Sequence, residues 1–410
     1  MSQENDRQLP DGWQWVKLGD VCRDVSDGSH FTPTYIEEGI PFLSVKNIRE
    51  TGINFDDCKF ICEEEHKKLC KRCKPEKGDV LYTKVGTTGI AKAIDINREF
   101  SIFVSVALLK LKSEVIPEYL EKVLNAPICK KQAESLTQGA ANRNLVIKDL
   151  KCIEIPLPPL SEQKRIAAIL NEQMEAVEKA RKATEAQLEA AKALPAAYLR
   201  AVFESEEANS WERRKLGEIC QSNGQYGTSE KSTNVNQGLP VLRMGNIIEG
   251  KINWSDLMYV NLPTDEETKF LLKKGDVLFN RTNSAELVGK TAVFDAEFKA
   301  VFASYLIRFK MRYNLADPYY ISAYINSRQG RKFIEANMTR AIGQVNISAS
   351  TMYNMPIPIP PTLEKQKQIA STLTEQMQEV ERLKQNLKEQ LDTINKLPAV
   401  LLRRAFKGEL

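Results

Sequence analysis

The sequence predicts an α+β protein in which two pseudo-symmetric α/β domains are separated by two long antiparallel helices that form a coiled coil. Three observations support this fold class. The 410-residue chain repeats itself after about 200 residues, each repeat ends in a long helical pattern, and both patterns contain heptads of apolar residues. The repeated helical stretches are residues 158–203 and 360–406.

Signals for the ends of both long helices occur at matching positions. Ser161 and Thr362 follow a Pro-Pro pair and are predicted N-caps, because a hydroxyl oxygen accepts hydrogen bonds from first-turn amides. Pro195 and Pro398 lack the N–H that a helix interior needs. Each long helix is therefore predicted to end or kink at its proline, which can begin a short final helix.

Apolar residues follow the same heptad register in both helices, and they define a predicted helix seam. Small residues in the first helix, such as Ala180 and Ala191, correspond to Leu383 and Ile394 in the second. Small side chains on one helix opposite large side chains on the other suit two helices that pack on each other. The alternative is two unrelated surface helices on separate cores. The seam residues are Ile166, Leu170, Val177 and Leu194 in the first helix, and Ile369, Leu373, Val380, Leu383, Leu387, Ile394 and Leu397 in the second.

Matching segments also occur throughout the globular parts of the two repeats. They are residues 15–22 and 213–220, 39–48 and 238–247, 77–84 and 274–281, and 103–112 and 302–311. Apolar runs separated by Gly, Pro and Asp predict strands, and the pattern becomes helical near residues 117–132 and 318–333. The predicted domains are residues 1–157 and 205–359, with helical arms at residues 158–204 and 360–410.

The last residues of the chain repeat the segment that links the first copy to the second. The C-terminal letters LLRRAF match YLRAVF at residues 198–203, which come shortly before Trp211. The C-terminal segment is therefore predicted to lie beside the N-terminal residues near Trp13, which would give a closed molecule with pseudo-two-fold symmetry.

Charge and composition favour a cytoplasmic protein whose positive charge is local. The chain has 58 Lys and Arg against 54 Asp and Glu, so a nucleic-acid partner would need a basic patch rather than a basic protein. The N-terminal residues are polar and predict no signal peptide, and no run of eighteen apolar residues predicts a membrane span. Seven of the eight Cys precede residue 153, an uneven distribution that favours reduced thiols over a disulfide framework.

Motifs for catalysis are not evident, so the sequence favours a binding protein without catalytic residues or a cofactor of its own. Gly289-Lys290-Thr291 resembles the end of a phosphate-binding loop, but Ser284 occupies the position of its first glycine. The two histidines, His30 and His66, offer little material for a histidine-based catalytic pair.

One segment has the residue composition of a metal site, but its spacing predicts no metal. The candidate ligands are Cys58, Cys62, His66, Cys70 and Cys73. Residues 62–73 have a helical pattern, which would place the end cysteines about 16 Å apart. Zinc–sulfur bonds are about 2.3 Å, so the expected role is a short helix that buries one Cys/His face. A zinc-dependent enzyme built on these residues stays an alternative that metal analysis would decide.

Three loops recur in both copies with small, polar and basic residues, which suit contacts to phosphates and base edges. They are residues 26–35 and 222–231, 81–92 and 278–290, and 137–146 and 339–348. Solvated hairpin tips are the alternative for any single loop. The candidate DNA-binding residues are Ser29, His30, Thr32, Lys46, Asn47, Thr83, Lys84, Thr87, Thr88, Asn142 and Arg143 in the first copy, and Tyr226, Arg243, Asn246, Asn280, Arg281, Asn283, Ser284, Gln344 and Asn346 in the second.

The order of several motifs, each present in both copies, resembles the specificity subunit of a type I DNA restriction–modification system. The carriers are the segments IPLPPLSEQKRIA and IPIPPTLEKQKQIA, the two GDVL turns, the openings LGDV and LGEI, and the terminal LRRAFKGEL. The resemblance covers essentially the whole chain. It implies two target-recognition domains, each recognising one half of an interrupted, asymmetric site in double-stranded DNA.

The same resemblance implies the partners and the role of the helices. Two modification subunits, which would bind S-adenosylmethionine, and restriction subunits, which would use ATP and Mg, are the expected partners. The paired helices would set the spacer between half-sites. Residues 161–194 as one helix are about 51 Å long, and half-sites on one face of DNA lie about 34 Å apart. The alternative is a coiled-coil scaffold protein without DNA binding, which would not show salt-dependent affinity for DNA.

Overall fold

The computed structural model describes residues 9–137, 143–341 and 344–410. The chain forms two compact units. The first unit contains the described residues up to Glu185 together with Glu389–Leu410, and the second contains Ala186–Lys388. Each unit therefore includes one globular part, the first portion of one long helix and the last portion of the other, as antiparallel helices require.

The first globular part and its long helix extend to residue 203. The strands are β1 (Gln14–Lys17), β2 (Cys22–Asp27), β3 (Ile40–Leu43), β4 (Ile48–Arg49), β5 (Gly52–Ile53), β6 (Lys59–Ile61), β7 (Val80–Thr83), β8 (Ala91–Ala93), β9 (Ser101–Ile102), β10 (Val106–Leu111) and β11 (Glu154–Leu157). The helices are α1 (Glu63–Cys70), α2 (Pro117–Leu124), α3 (Pro127–Leu136), α4 (Ile147–Leu150) and α5 (Leu160–Phe203).

The elements after residue 203 repeat this order closely. The strands are β12 (Glu212–Lys215), β13 (Gln225–Tyr226), β14 (Leu239–Leu242), β15 (Ile247–Ile248), β16 (Lys251–Ile252), β17 (Met258–Val260), β18 (Val277–Asn280), β19 (Thr282–Asn283), β20 (Thr291–Val293), β21 (Val301–Phe302), β22 (Leu306–Phe309), β23 (Thr339–Ala341), β24 (Gln344–Asn346) and β25 (Pro356–Ile359). The helices are α6 (Glu206–Ser210), α7 (Leu216–Ile219), α8 (Thr264–Phe270), α9 (Pro318–Asn326), α10 (Arg328–Asn337), α11 (Ala349–Met352) and α12 (Leu363–Ala405).

The central sheets of the two units have the same strand order. Antiparallel strands follow the order β2-β10-β7-β8 in the first unit and β13-β22-β18-β20 in the second. A smaller three-stranded sheet, β6-β3-β9 or β17-β14-β21, accompanies each. Val80, Leu81 and Tyr82 are fully buried, because both faces of β7 are covered. The predicted fold class of two related mixed α/β domains and two long helices is confirmed.

Proline-rich strands join each globular part to its long helix. Among the residues that the structure describes, strand β11 pairs with β1 alone, and β25 pairs with β12 alone. Prolines are acceptable there because a strand paired on one side needs few of its N–H groups. The hydroxyls of Tyr119 and Tyr320 donate to the carbonyl oxygens of Pro156 and Pro358, each at 2.6 Å.

Both long helices continue through their prolines, so the predicted breaks at Pro195 and Pro398 are wrong. Each proline removes one main-chain hydrogen bond. The turns that follow bury Phe203 in one unit and Phe406 in the other, and this burial offsets the loss.

The predicted N-caps differ between the two helices. The N–H groups of Glu162 and Gln163 donate to the carbonyl oxygen of Pro159, so Ser161 lies inside α5 and its predicted capping role is wrong. At the start of α12, the N–H of Lys365 donates to Thr362 Oγ1 at 3.2 Å, and this cap is confirmed.

The buried stripe of the long helices is narrower than the predicted seam. Leu383 and Leu397 are 41% and 37% exposed, so their predicted seam positions are wrong. Burial recurs mainly once per heptad, as in a seam that uses one of its two apolar positions. The predicted seam residues Ile166, Leu170, Leu373, Val380, Leu387 and Ile394 are buried, as are Thr184 and Ala191, whereas Val177, Leu194 and Ile369 are half-buried.

A buried glutamine fastens each long helix to its globular part, a feature that the sequence did not reveal. The amide of Gln163 accepts from the N–H of Ile116 at 3.0 Å and donates to Glu114 O at 2.9 Å. Gln366 makes the same two bonds with Asp317 N–H and Leu315 O, both at 3.0 Å. The first turns of both helices are thus held by equivalent polar contacts.

The C-terminal segment lies beside the N-terminal residues of the same unit, as predicted: a Cβ at Gly408 would lie 2.2 Å from Pro10 Cγ, and Trp13 and Leu410 pack against the same core. The ring of Phe406 packs edge-on against Tyr119 with centroids 5.6 Å apart, and Arg165 donates to Leu410 O at 2.8 Å. In the second unit, Phe203 packs on Tyr320 at 5.5 Å in the equivalent way. None of the helices in the described ranges is both long and apolar enough to span a bilayer.

Candidate nucleic-acid interface

The three candidate loops of the first unit meet at the end of strand β7. The N–H of Leu145 donates to Lys84 O at 2.8 Å, which joins the second loop to the third. Lys84 N–H donates to Ser105 O, and Val104 N–H donates to Ser29 O, both at 2.9 Å. This turn at residues 104–105 therefore links the first loop to the second.

The second unit brings its three loops together in a similar way. Strand β19 pairs with β24, which also pairs with β23, so the second and third loops form one small sheet. Arg281 N–H donates to Tyr305 O at 3.0 Å, and Ser304 N–H donates to Thr228 O at 2.8 Å. The loops that are separate in sequence form one surface in each unit.

A buried carboxylate lies under the loop surface of the first unit. Asp27 Oδ1 accepts from Arg72 Nη2 at 2.6 Å and lies 3.0 Å from His30 Nε2, and Asp27 Oδ2 lies 3.2 Å from Lys84 Nζ. The side chains of Asp27 and Lys84 are 8% and 5% exposed, whereas those of Arg72 and His30 are more than half exposed. We call these four residues the Asp27 cluster.

The pKa of Asp27 reflects two opposing effects. Burial alone would raise the pKa of this carboxyl, but hydrogen bonds from His30 and Lys84 and the charge of Lys84 hold it below its ordinary value. Asp27 is therefore ionised at neutral pH and can orient the cations around it.

In the second unit an aromatic ring replaces the carboxylate. The guanidinium of Arg281 lies over the ring of Tyr226, 4.7 Å from its centroid. The hydroxyl of Tyr226 accepts from the N–H of Ala349 at 3.2 Å, which fixes the ring from its other end. The guanidinium lies over the ring and stays partly exposed.

Two glycines show that the carboxylate and the ring occupy equivalent positions. A Cβ at Gly28 would lie 1.9 Å from Ile102 O, and one at Gly227 would lie 2.1 Å from Phe302 O. The two backbones therefore pass equivalent strands, β9 in the first unit and β21 in the second. The residues before the glycines, Asp27 and Tyr226, correspond in position. The sequence alignment of residues 26–35 with 222–231 therefore differs by three residues from the structural alignment, which pairs Gly28 with Gly227.

Six candidate residues are buried, and the proposed DNA contact is not supported for them. Asn47 Oδ1 accepts from Ser44 N–H at 2.9 Å, and Asn246 Oδ1 accepts from Arg243 N–H at 2.9 Å, so each amide stabilises its own turn. Thr83 Oγ1 accepts from Ile90 N–H at 2.9 Å. The six buried residues are Ser29, Asn47, Thr83, Lys84, Asn246 and Asn280.

Replacing Asn47 with Ala is expected to lower stability without changing DNA preference. The substitution leaves the N–H of Ser44 and the carbonyl of Asn54 without their side-chain partner, at a cost of about 1–3 kcal/mol. Urea unfolding would measure this cost, and Lys46→Ala, at the exposed neighbouring position, is the matched control. A changed base preference with unchanged stability would contradict the structural role.

The other candidates remain accessible to different degrees. Asn142 lies outside the described residues. Exposed candidates are His30, Thr32, Lys46, Thr87, Arg143, Tyr226, Ser284 and Gln344, and half-buried ones are Thr88, Arg243, Arg281, Asn283 and Asn346. Some half-buried side chains bond to other residues of the protein: Asn283 Oδ1 accepts from Ser284 N–H at 2.8 Å, Asn346 Oδ1 accepts from Thr282 Oγ1 at 2.5 Å, and Arg243 Nη2 lies 3.2 Å from Asp256 Oδ2.

Sequence reasoning missed Asp27 and Arg72. Arg72 comes from the cysteine-rich segment, whose predicted helix of residues 62–73 is shorter in the structure. Cys62 precedes α1 and is exposed, so its predicted burial is wrong, while His66 is buried with Nδ1 2.9 Å from Ser101 Oγ. Burial raises the pKa of the Cys73 thiol to about 11. Within residues 9–137, 143–341 and 344–410, no three or more His, Cys, Asp or Glu side chains are grouped as metal ligands.

Comparisons with known proteins identify relatives over the full length of the chain. The family model described as "Type I restriction modification DNA specificity domain" matches residues 10–189 and again residues 209–393. The StySPI type I restriction enzyme specificity subunit of Salmonella potsdam is 22% identical, over 99% of this chain and 91% of the relative. The EcoKI specificity subunit of Escherichia coli K12 is also 22% identical, over 98% and 90%.

Two solved structures share the fold. The crystal structure of the HsdS subunit from Thermoanaerobacter tengcongensis has a TM-score of 0.67 at 22% identity and covers 100% of both chains. A chain from a study of complex assembly in a type I R-M system has a TM-score of 0.72 at 22% identity, covering 98% of this chain and 100% of that one.

Proposed function

Because the chain belongs to the type I restriction modification DNA specificity family, we propose that each of its two units recognises one half of an interrupted, asymmetric DNA site. Members of this family are the non-catalytic, DNA-recognising subunits of their complexes, and the specificity domain is present twice in this chain. The observation that carries the proposal is the pair of equivalent loop surfaces with different chemistry at the same position. Asp27 and Lys84 in one unit correspond to Tyr226 and Arg281 in the other.

Different side chains on one scaffold suit the recognition of two different half-sites. An arginine can donate two parallel hydrogen bonds to the O6 and N7 atoms of guanine. Exposed polar side chains of the loops suit phosphate contacts that position the domain without recognising sequence. They are Thr32, Thr87 and Arg143 in the first unit, and Ser284 and Gln344 in the second. We therefore assign base recognition to the loop surfaces of target-recognition domains at residues 1–157 and 205–359.

We further propose that the helical arms, residues 158–204 and 360–410, set the spacer and bind two modification subunits. The exposed apolar residues on α12, Leu383, Leu397 and Val400, are suited to a protein partner because they lie outside the buried stripe. The modification subunits would supply S-adenosylmethionine-dependent methylation, and restriction subunits would add ATP- and Mg-dependent cleavage, in the cytoplasm.

The test is to co-express the chain with its modification subunits and to map methylation across the host genome. The proposal expects a motif of two specified halves separated by unspecified bases, which disappears when this gene is deleted. DNA binding that weakens steeply with added salt is also expected. A stable protein complex with neither DNA binding nor a methylated motif would favour the scaffold alternative.

Replacing Arg281 with Ala is expected to relax one half-site and to leave the other unchanged. The loss of two hydrogen bonds to one base corresponds to about 1–3 kcal/mol of discrimination at that position. Methylation of a library randomised in both halves would measure it. Arg328→Ala removes a guanidinium that is 64% exposed outside the loop surface and is the matched control. Equal losses in both halves would identify Arg281 as a phosphate contact or a structural residue.

A further inference from the structure

Building on the proposed recognition of one half-site by each unit, we infer that Arg72 recognises a guanine edge in the half-site of the first unit and that Asp27 is the residue that positions it. The cation that recognises a base has thus moved between the two copies. In the second unit it follows strand β18, as Arg281, and in the first unit it follows helix α1.

The lysine that corresponds to Arg281 is unsuited to base recognition. Lys84 is buried with its side chain 5% exposed, and its ammonium is bound to Asp27 Oδ2 at 3.2 Å. Moving it to DNA would leave Asp27, itself 8% exposed, without that partner in a site of low dielectric. Lys84 therefore stabilises the charge of the Asp27 carboxylate inside the protein.

The geometry of Arg72 is that of an oriented donor. Its Nη2 donates to Asp27 Oδ1 at 2.6 Å, while 59% of its side chain is exposed. A guanidinium has five N–H donors in a fixed plane, so a carboxylate that holds one end leaves the others directed at solvent. His30 Nε2 lies 3.2 Å from Arg72 Nη2 and 3.0 Å from Asp27 Oδ1, which restricts the guanidinium from a second side.

The chain provides the position of Arg72 only in the first unit. The connection from α1 to β7 covers residues 71–79, whereas the connection from α8 to β18 covers the shorter span 271–276. The shorter connection buries Leu272, and Tyr226 occupies the place of the carboxylate. In each unit one guanidinium therefore contacts the residue directly before the buried glycine. Arg72 forms an ion pair with Asp27, and Arg281 lies over the ring of Tyr226.

The experiment uses the full chain assembled with its modification subunits. The substrate is a pool of duplexes that carry the mapped site with one position at a time randomised. The variants are Arg72→Ala, Arg72→Lys and Asp27→Asn, and Arg23→Ala, an exposed arginine on β2, is the matched control. Relative methylation of each base at each position is measured together with the thermal unfolding temperature.

We expect Arg72→Ala to reduce the preference for guanine at one position of one half-site by about 5- to 150-fold. Arg72→Lys is expected to relax the same position, because lysine keeps the charge and loses the planar fork. Asp27→Asn should relax that position less, since it leaves Arg72 present but poorly oriented. The other half-site should remain unchanged in all three variants, and Arg23→Ala should match the parent.

Three results would overturn the inference. Uniformly weaker methylation with Arg72→Ala that Arg72→Lys restores would make Arg72 a phosphate contact. An unchanged preference with Arg72→Ala would remove it from recognition, and an unchanged preference with Asp27→Asn would remove the positioning role. In each case the parent protein would still show its two-part motif, whereas failure of the proposed function would leave no two-part motif to map.

Discussion

Inserting seven residues into each long helix is expected to lengthen the spacer that the protein prefers. Helices α5 and α12 each begin in one unit and end in the other, so seven added residues extend each helix by about 10 Å, or about three base pairs. A full heptad preserves the register of the buried stripe. Methylation of duplexes with spacers of graded length would measure the change.

The lengthened protein is also expected to bind its best site more weakly than the parent binds its own. Three base pairs turn the duplex by about a third of a turn, whereas seven residues return a helix almost to its starting orientation. Insertion of four residues in each helix is the control, because it rotates the buried stripe and should lower stability. An unchanged spacer preference after the heptad insertion would rule out the helices as the determinant of spacing.

Replacing Phe406 with Ala is expected to lower the free energy of unfolding of the first unit by about 3–5 kcal/mol. The ring is 4% exposed and packs against Tyr119 in the core that also contains Ile166 and Leu170. Because single domains are stabilised by about 5–15 kcal/mol, the loss should make this unit unfold well before the other. Differential scanning calorimetry would detect the separated transition.

Phe203→Ala is the matched variant in the second unit, since Phe203 packs against Tyr320 as Phe406 packs against Tyr119. It should lower the transition of the second unit and leave that of the first in place. Leu383→Ala removes a leucine that is 41% exposed on α12, the helix that ends directly before Phe406, and should change stability by about 0.5 kcal/mol or less. Equal effects of Phe406→Ala and Leu383→Ala would show that the C-terminal turn does not stabilise the core.

The repeat, the two long helices and the closing C-terminal segment were predictable from sequence because repetition and heptads are visible in the letters themselves. The effect of Pro195 was not predictable, since it depends on what the next two turns bury. A prediction from local sequence includes only the hydrogen bond that Pro195 removes, whereas the stability of the folded helix also depends on the burial of Phe203. The exposure of Leu383 was not predictable for a related reason, because a heptad pattern does not specify how wide the contact surface of the helix is.

The candidate interface was predictable as a set of loops but not as a set of side chains. Asn47 and Asn246 have the composition of a DNA contact, yet each amide faces inward and completes its own turn. Asp27, Arg72 and Lys84 are far apart in sequence, and their ion pairs exist only because the strands bring them together. Proximity of this kind has no local signal.

The glycines at 28 and 227 bear on how such a protein diversifies. They anchor the backbone against a neighbouring strand, so the residue before each can be exchanged while the strand path is retained. Asp and Tyr codons differ in one nucleotide, and so do Lys and Arg codons. Single-nucleotide changes can therefore exchange these residues one at a time, while the connection that supplies Arg72 stays in place. A lineage could acquire a new target sequence at these sites without recombining whole domains.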